Sequence, residues 1–253
     1  MKTILITGCS SGFGLATAAR FLGQGWKVIA TMRTPRSDLL PPSEHLQVLA
    51  LDITDPLSIR DAVQAAGPID ALVNNAGVGL LGPLEGTSLE TARDVFETNT
   101  FGAMAMIQAV LPQFRQRKAG VVVNVSSSTT LAPLPLLSVY TASKAAINAF
   151  TESLALELAP FNVRVGLVIP GRSPETPFSQ NAQSRRQGGI PEAYAEFASG
   201  IVARMRQSTG PVTHASDVAE AVWRVVNDPA APLRVPAGAD AVALAAVDQA
   251  AAA

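Results

Sequence analysis

Tyr140 and Lys144 stand four residues apart in a stretch whose apolar spacing predicts a helix, so both side chains project from one helix face. A free tyrosine has a pKa of about 10, and a neighbouring ammonium group stabilises the phenolate and lowers that pKa. Such a pair can exchange a proton with a carbonyl or alcohol oxygen, as general acid or general base. Tyr-x-x-x-Lys is also common by chance, and an isolated pair is more often structural.

Ser127 stands thirteen residues before Tyr140, just beyond the apolar run at 121–125, which predicts a strand. Open α/β sheets bind their ligands beyond the carboxyl ends of the strands, so a hydroxyl here can bind the substrate oxygen. The polar run that contains Ser127 could instead form only a turn or a helix cap, and Ser126 or Ser128 could take its place. We favour Ser127 as the third reactive residue.

A glycine-rich turn, Thr-Gly-Cys-Ser-Ser-Gly-Phe-Gly at residues 7–14, follows the first apolar run of the chain. Glycine lets the main chain approach a pyrophosphate closely, and the free N–H groups at the start of the next helix bind anions. Glycine spacing alone is a weak signal, since any tight turn needs small residues, but the alternating strands and helices that follow strengthen it. The turn predicts a dinucleotide site formed by Gly8, Ser10, Ser11, Gly12, Phe13 and Gly14.

The residue at the end of the second predicted strand distinguishes the two nicotinamide dinucleotides. An acidic residue there would bind the ribose diol, but this strand ends in Arg33. Arg33 can pair with a 2′-phosphate, with Ser11 as a second donor, so NADP(H) is favoured over NAD(H); a solvated surface arginine is the alternative. Asp52 and Ile53 follow the third predicted strand, where they could contact the adenine. Helix capping together with Asp55 is the alternative role for Asp52.

These residues require a scaffold that gathers the ends of several strands. Short apolar runs predict strands at 3–6, 27–31, 46–51, 71–73, 121–125 and 163–169. Three-and-four spacing predicts helices at 14–22, 58–65, 89–117, 138–158 and 215–226. This alternation requires parallel strands with right-handed crossovers. We therefore predict an α/β protein, with a doubly wound parallel sheet (a Rossmann fold) and helices on both faces, in a single domain over 1–253.

Composition argues against several other functions. The net charge is −1 and no long basic run occurs, which disfavours nucleic-acid binding. Two distant histidines and one cysteine give neither metal-ligand spacing nor an internal disulfide. No window approaches the roughly 18 uninterrupted apolar residues of a membrane span, and Met1 leads into a strand rather than a signal peptide. We expect a cytoplasmic protein that acts on a small molecule.

Taken in order along the chain, these motifs resemble those of the short-chain dehydrogenase/reductase family, and the resemblance covers nearly the whole chain. The family's Thr-Gly-x-x-x-Gly-x-Gly matches residues 7–14, its Asn-Asn-Ala-Gly residues 74–77, and its Tyr-x-x-x-Lys residues 140–144. The resemblance implies an NADP(H)-dependent oxidoreductase with Ser127 as the catalytic serine. It also implies that Asn99 holds a water that relays protons to Lys144. Further cofactor contacts implied in this way are Asn75, Ala76, Gly77, Pro170 and Gly171, together with Tyr140 and Lys144.

The resemblance is strongest to NADP-dependent hydroxysteroid and retinol dehydrogenases and related bacterial reductases. An apolar loop at 131–137 and a variable segment at about 172–206 would bound the substrate, with Gly188 and Gly189 as the hinge of a lid. This favours a lipophilic ketone, aldehyde or alcohol, although the leucines could equally belong to the core. The family's Pro-Gly-x-x-x-Thr is one residue longer here, which makes Thr176 a doubtful nicotinamide contact. Members of the family commonly pair through their long fourth and fifth helices, so the resemblance implies a homodimer or homotetramer.

Two other functions fit part of the pattern. Nucleotide-sugar epimerases and dehydratases share the glycine turn and the Tyr-x-x-x-Lys pair, but 253 residues leave little room for their usual second domain. A cofactor-binding regulator without activity is also conceivable. That possibility ranks last, because all four catalytic positions, Asn99, Ser127, Tyr140 and Lys144, are occupied by the expected residue types.

Overall fold

The structure is a computed structural model that describes residues 1–178, 181–182 and 189–252. Within these residues every pair of neighbouring strands is parallel, and the chain changes its direction of winding between the first and fourth strands. The resulting crevice at the carboxyl ends is where doubly wound sheets bind ligands. The strands are β1 (Thr3–Ile6), β2 (Lys27–Met32), β3 (Leu46–Ala50), β4 (Ala71–Asn74), β5 (Gly120–Val125), β6 (Val163–Pro170) and β7 (Arg234–Ala237), in the sheet order β3-β2-β1-β4-β5-β6-β7.

Helices cover both faces of this sheet. They are α1 (Gly12–Leu22), α2 (Pro56–Ala66), α3 (Leu89–Phe96), α4 (Gly102–Arg117), α5 (Ser138–Leu158), α6 (Ala195–Gln207), α7 (Ala215–Asn227) and α8 (Ala239–Ala252). Phe21 of α1 and Val222 of α7 belong to one core layer, whereas Ile107 of α4 and Leu154 of α5 belong to the other. Burial on both faces explains why the strands are continuously apolar. The predicted doubly wound Rossmann-type sheet is confirmed.

The structure adds elements that the sequence patterns did not indicate. The helix predicted over 89–117 is interrupted by a π-helical turn, Glu97–Phe101. The sequence does not indicate this turn, because one added residue leaves the apolar spacing of the helix almost unchanged. Strand β7 is only four residues long and contains Pro236, which an edge strand tolerates. Helix α8 is so rich in alanine that it shows no clear apolar stripe. In the described part of the chain, no helix combines the length and hydropathy needed to span a membrane.

Candidate active site

Tyr140, Lys144 and Ser127 meet at the carboxyl end of β5. Tyr140 and Lys144 lie in the first turns of α5 with only 7% and 5% of their surface exposed. The side chain of Ser127 lies close enough to the phenol to lower the pKa of Tyr140 by hydrogen bonding. Lys144 Nζ donates to the main-chain oxygen of Val125, the last residue of β5, at 2.9 Å. The structure therefore brings together the three side chains that the sequence singled out.

The structure distinguishes Ser127 from its two neighbours. Ser126 Oγ is buried and donates to Asn148 Oδ1 at 2.5 Å. Ser128 is buried at the start of a short 3₁₀ turn. Ser127 is partly exposed and is the serine bonded to Tyr140. Among these three serines, Ser127 is thus the one beside the phenol.

Burial sets the protonation states of the tyrosine and the lysine. It raises the pKa of Tyr140 to about 12, although the bond to Ser127 acts in the opposite direction. It also lowers the pKa of Lys144 to about 8. Desolvation of the phenolate is the larger cause of the raised pKa of Tyr140, and the Lys144 ammonium donates its hydrogen bond to Val125. At neutral pH the site pairs a protonated phenol with a largely charged ammonium.

Asn99 lies in the π-helical turn and uses its side chain to hold two other segments. Its Oδ1 accepts from Val78 N at 2.8 Å, and its Nδ2 donates to Val78 O at 2.9 Å and to Ser143 Oγ at 3.0 Å. The fully buried Ser143 in turn donates to the main-chain oxygen of Tyr140 at 2.7 Å. Both amide protons of Asn99 are therefore used, and the water relay to Lys144 stays a prediction. Sequence analysis missed Ser143, although its place inside Tyr-x-x-x-Lys is a signal.

The glycine turn between β1 and α1 forms a cradle suited to a phosphate. Gly8 and Gly12 have φ values of +74° and +55°, in the left-handed region that favours glycine. A Cβ on Gly14 would collide with the main-chain oxygen of Gly8 and with the Asn75 amide. Ser11 is the N-cap of α1 but its hydroxyl makes no capping bond. This turn and the start of α1 fit the pyrophosphate of a dinucleotide. Of the other predicted turn residues, Ser10 is exposed and Phe13 packs against the core.

The predicted adenosine contacts lie at the ends of β2 and β3. Arg33 is exposed there, and its charge contributes to a lowered pKa of Asp52. Hydrogen bonds from the main-chain N–H and hydroxyl of Thr54, at 2.9 and 2.7 Å, are the larger causes of that lowered pKa. The N-cap of α2 is Asp55, whose side chain accepts from the main-chain N–H of Leu57. Asp55, and not Asp52, therefore caps this helix. Ile53 is buried beside this end of the sheet.

The turn after β4 is fastened to the glycine turn. Thr7 Oγ1 accepts from the main-chain N–H groups of Asn75 and Ala76 at 3.0 and 2.9 Å. A Cβ on Gly77 would lie 3.4 Å from Lys144 Nζ, so this turn also borders the lysine. The predicted cofactor contacts Asn75, Ala76 and Gly77 therefore lie between the cofactor turn and Lys144.

The loop after β6 also reaches the glycine turn. Pro170 ends the strand and Gly171 begins the loop. Thr176, which is buried, has its methyl group 3.3 Å from the position of a Cβ on Gly12. Thr176 thus lies beside the cofactor turn although this loop is one residue longer than the family sequence.

Apolar side chains from the predicted substrate loop and the segment after β6 lie among the described residues. The ring of Phe178 lies 5.7 Å from that of Tyr140, centroid to centroid, and within 3.0 Å of the position of a Cβ on Gly79. Leu136 of the predicted apolar loop packs with Ile201 of α6 in a small cluster that also includes Leu81 and Ala198. Part of the predicted lid, including Arg185, Arg186 and Gly188, lies outside the described residues. No cluster of metal-ligating side chains occurs among the described residues.

A doubly wound sheet, a glycine cradle after β1 and a serine–tyrosine–lysine site after β5 define a dinucleotide-fold oxidoreductase. The chain belongs to the short-chain dehydrogenase family, whose family model matches residues 2–187. Bovine (Bos taurus) retinol dehydrogenase 8 is 37% identical over 253 residues, with 92% of this chain and 80% of that protein covered. Human (Homo sapiens) 17-beta-hydroxysteroid dehydrogenase type 1 is 40% identical, with 66% of this chain and 56% of that protein covered. The resemblance to retinol and hydroxysteroid dehydrogenases is confirmed.

Solved structures share this fold along the chain. A short-chain dehydrogenase from Streptomyces avermitilis has a TM-score of 0.81 and 33% identity, covering 99% of this chain and 93% of that one. Serine dehydrogenase complexed with NADP+ has a TM-score of 0.78 and 31% identity, covering 93% and 94%. NAD+-bound xylitol dehydrogenase has a TM-score of 0.77 and 26% identity, covering 94% and 97%. Similar proteins therefore bind nicotinamide dinucleotides of both kinds.

Proposed function

We propose that this protein is an NADP(H)-dependent oxidoreductase that interconverts a lipophilic ketone or aldehyde and the corresponding alcohol by direct hydride transfer. The observation that supports the proposal is the partly exposed Ser127 beside the phenol of Tyr140, which is buried together with Lys144. A protonated phenol next to a serine hydroxyl can bind and protonate a carbonyl oxygen.

In this proposal each residue of the site acts on the reacting oxygen or on the phenol. Bound NADP(H) would supply or accept the hydride. Ser127 donates a hydrogen bond to the carbonyl oxygen, and Tyr140 transfers its proton to that oxygen as negative charge develops. The charge of Lys144 then stabilises the phenolate. Burial raises the pKa of Tyr140, so the phenol carries the proton that carbonyl reduction requires, and the positive charge of oxidised nicotinamide would favour the phenolate that alcohol oxidation requires.

The preference for NADP(H) rests on Arg33. It is exposed at the end of β2, where a 2′-phosphate would lie, and Ser11 is available as a second donor. A charge-assisted hydrogen bond of about 1.5–3 kcal/mol corresponds to roughly ten- to a hundredfold discrimination. We expect Arg33→Ala to lose that preference for NADPH over NADH in kcat/KM while retaining turnover. An unchanged NADPH/NADH ratio would show that Arg33 does not select the cofactor.

The proposed lipophilic substrate rests on the ring of Phe178 against Tyr140 and on the apolar cluster that Leu136 of the predicted substrate loop forms with Ile201 of α6. Retinol dehydrogenase 8 and 17-beta-hydroxysteroid dehydrogenase type 1 are named for apolar alcohols, whereas serine and xylitol dehydrogenases are named for polar ones. Paired assays with lipophilic and small polar carbonyls separate these possibilities. Reduction of the lipophilic members is expected, and reduction of small polar carbonyls alone would contradict this substrate class.

We also propose that the protein forms a homodimer or homotetramer through α4 and α5. Ala145 and Ala149 are exposed on α5 and permit close helix packing. Phe101, just before α4, and Leu156, near the end of α5, have 51% and 78% of their surface exposed and add exposed apolar area on these two helices. Size-exclusion chromatography is expected to give a multiple of the 26.3 kDa chain mass, and a 26.3 kDa species alone would contradict this assembly.

A further inference from the structure

We propose that Asp240, acting through Thr213, is a positioning residue for the nicotinamide cofactor. Asp240 belongs to the first turn of α8, far along the chain from the cofactor motifs, and its carboxylate meets the loop that follows β6. The inference rests on the proposed function, because that loop begins with the predicted cofactor contacts Pro170 and Gly171.

Asp240 and Thr213 hold the start of this loop through a set of short hydrogen bonds. Asp240 Oδ2 accepts from Arg172 N at 2.6 Å, and its Oδ1 lies 2.7 Å from Thr213 Oγ1. Thr213 Oγ1 accepts from Gly171 N at 2.8 Å and also lies 2.8 Å from Ala237 O at the end of β7. Thr213 N donates to Arg172 O at 2.8 Å. Since Thr213 is fully buried, no water competes for its bonds.

Two glycines make room for this arrangement. A Cβ on Gly171 would collide with the Asp240 carboxylate. A Cβ on Gly238, whose φ is +93°, would collide with Thr213. The loop after β6, the segment before α7 and the start of α8 can therefore approach one another only with glycine at both positions. This close approach places the carboxylate directly against the predicted cofactor-binding main chain.

The far end of the same loop is anchored as well. Glu175 Oε1 accepts from Ala215 N at 2.8 Å, and its Oε2 lies 3.2 Å from His214 Nδ1. The next residue, Thr176, lies against Gly12 of the cofactor turn. The extra residue of this loop is thus accommodated between two anchored ends. Residues 170–176 are thus held at both ends beside the cofactor turn.

A loop fixed before binding loses less conformational freedom when the cofactor binds. Removing the anchor should therefore weaken cofactor affinity more than it alters binding of the carbonyl substrate. Thr213→Val removes the hydroxyl at nearly constant volume, and Thr213→Ser retains it. Asp240→Ala removes the carboxylate, and Asp248→Ala, at an exposed position of the same helix, is the matched control.

The experiment measures the Kd of NADPH by its fluorescence, with steady-state kinetics and thermal melting of each variant. Thr213→Val and Asp240→Ala are expected to raise that Kd about tenfold, equivalent to about 1.4 kcal/mol. The KM of the carbonyl substrate should stay within about twofold of the wild-type value. Thr213→Ser and Asp248→Ala should match the wild type. If Asp240→Ala does not fold, Asp240→Asn, of the same size, replaces it.

The outcomes separate this proposal from the proposed function. A wild-type protein that binds NADPH, with the same Kd in Thr213→Val and in the Asp240 variant, would overturn the positioning role even if both variants melt at lower temperature. A wild-type protein that binds neither NADPH nor NADH would contradict the proposed function, and the role of Asp240 with it.

Discussion

Replacing Lys144 with methionine should stabilise the fold while abolishing turnover. The side chain is buried, and burial lowers its pKa from the ordinary 10.5 to about 8. That difference corresponds to roughly 3 kcal/mol by which the folded state is destabilised when the ammonium is charged. The lost hydrogen bond to Val125 offsets about 1–1.5 kcal/mol of the gain. Lys144→Met should therefore raise the free energy of unfolding at neutral pH by about 2 kcal/mol.

The pH dependence of this gain identifies its cause. Below pH 8 the lysine is charged in both folded and unfolded chains, so the full destabilisation is present. Between pH 8 and 10.5 the folded chain holds fewer protons than the unfolded chain, so wild-type stability rises with pH. Urea unfolding of the wild type and of Lys144→Met should be compared at about pH 7 and about pH 9.5. The difference between their free energies of unfolding should shrink by more than half at the higher pH.

Tyr140→Phe is the control for this measurement. In the wild type, the pKa of Tyr140 is about 12 in the folded chain and exceeds the ordinary value of 10.0. The contribution of this phenol to the free energy of unfolding is therefore lost only as pH rises above about 10. The Tyr140→Phe difference should be constant over the range in which the Lys144→Met difference shrinks. A Lys144→Met protein that is less stable than wild type at neutral pH, or a gap independent of pH, would refute the reasoning.

Two further substitutions test the surroundings of the site. Phe178→Ala should raise the KM of lipophilic carbonyls about tenfold through loss of an apolar wall, and small carbonyls should be unaffected. Val247→Ala, at an exposed position of α8 outside the predicted substrate segment, is the control, and an equal effect of both substitutions would contradict the role of Phe178. Ser143→Ala should lower kcat about tenfold with little change in the KM of NADPH. The substitution removes the hydroxyl that links the Asn99 amide to the main-chain oxygen of Tyr140. Ser153→Ala, at an exposed position of the same helix, is the control and should leave kcat unchanged. An unchanged kcat in Ser143→Ala as well would exclude a positioning role for Ser143.

The site was predictable to the extent that its residues lie next to strand ends. Ser127 follows β5 directly, and the glycine turn follows β1, so the parallel sheet alone brings them to one edge. Tyr140 and Lys144 share a helix face through their spacing. Six of the seven strands were predicted for the same reason, since buried parallel strands are continuously apolar.

What the sequence did not indicate depends on contacts between distant segments. Asp240 meets Gly171 only because β7 and α8 fold back beside β6, and neither element has a clear apolar pattern. Ser143 gains its role from a π-helical turn that spacing does not reveal. The high pKa of Tyr140 follows from burial, which depends on the assembled structure rather than on the neighbouring lysine.

The most direct test of this account is NADPH consumption by the wild type and by Tyr140→Phe with a lipophilic ketone or aldehyde, together with NADPH binding by both. We predict turnover by the wild type and loss of turnover in Tyr140→Phe, with NADPH affinity within about twofold of the wild-type value. Undiminished turnover in Tyr140→Phe would contradict the proton-transfer role of Tyr140 on which the proposed function depends.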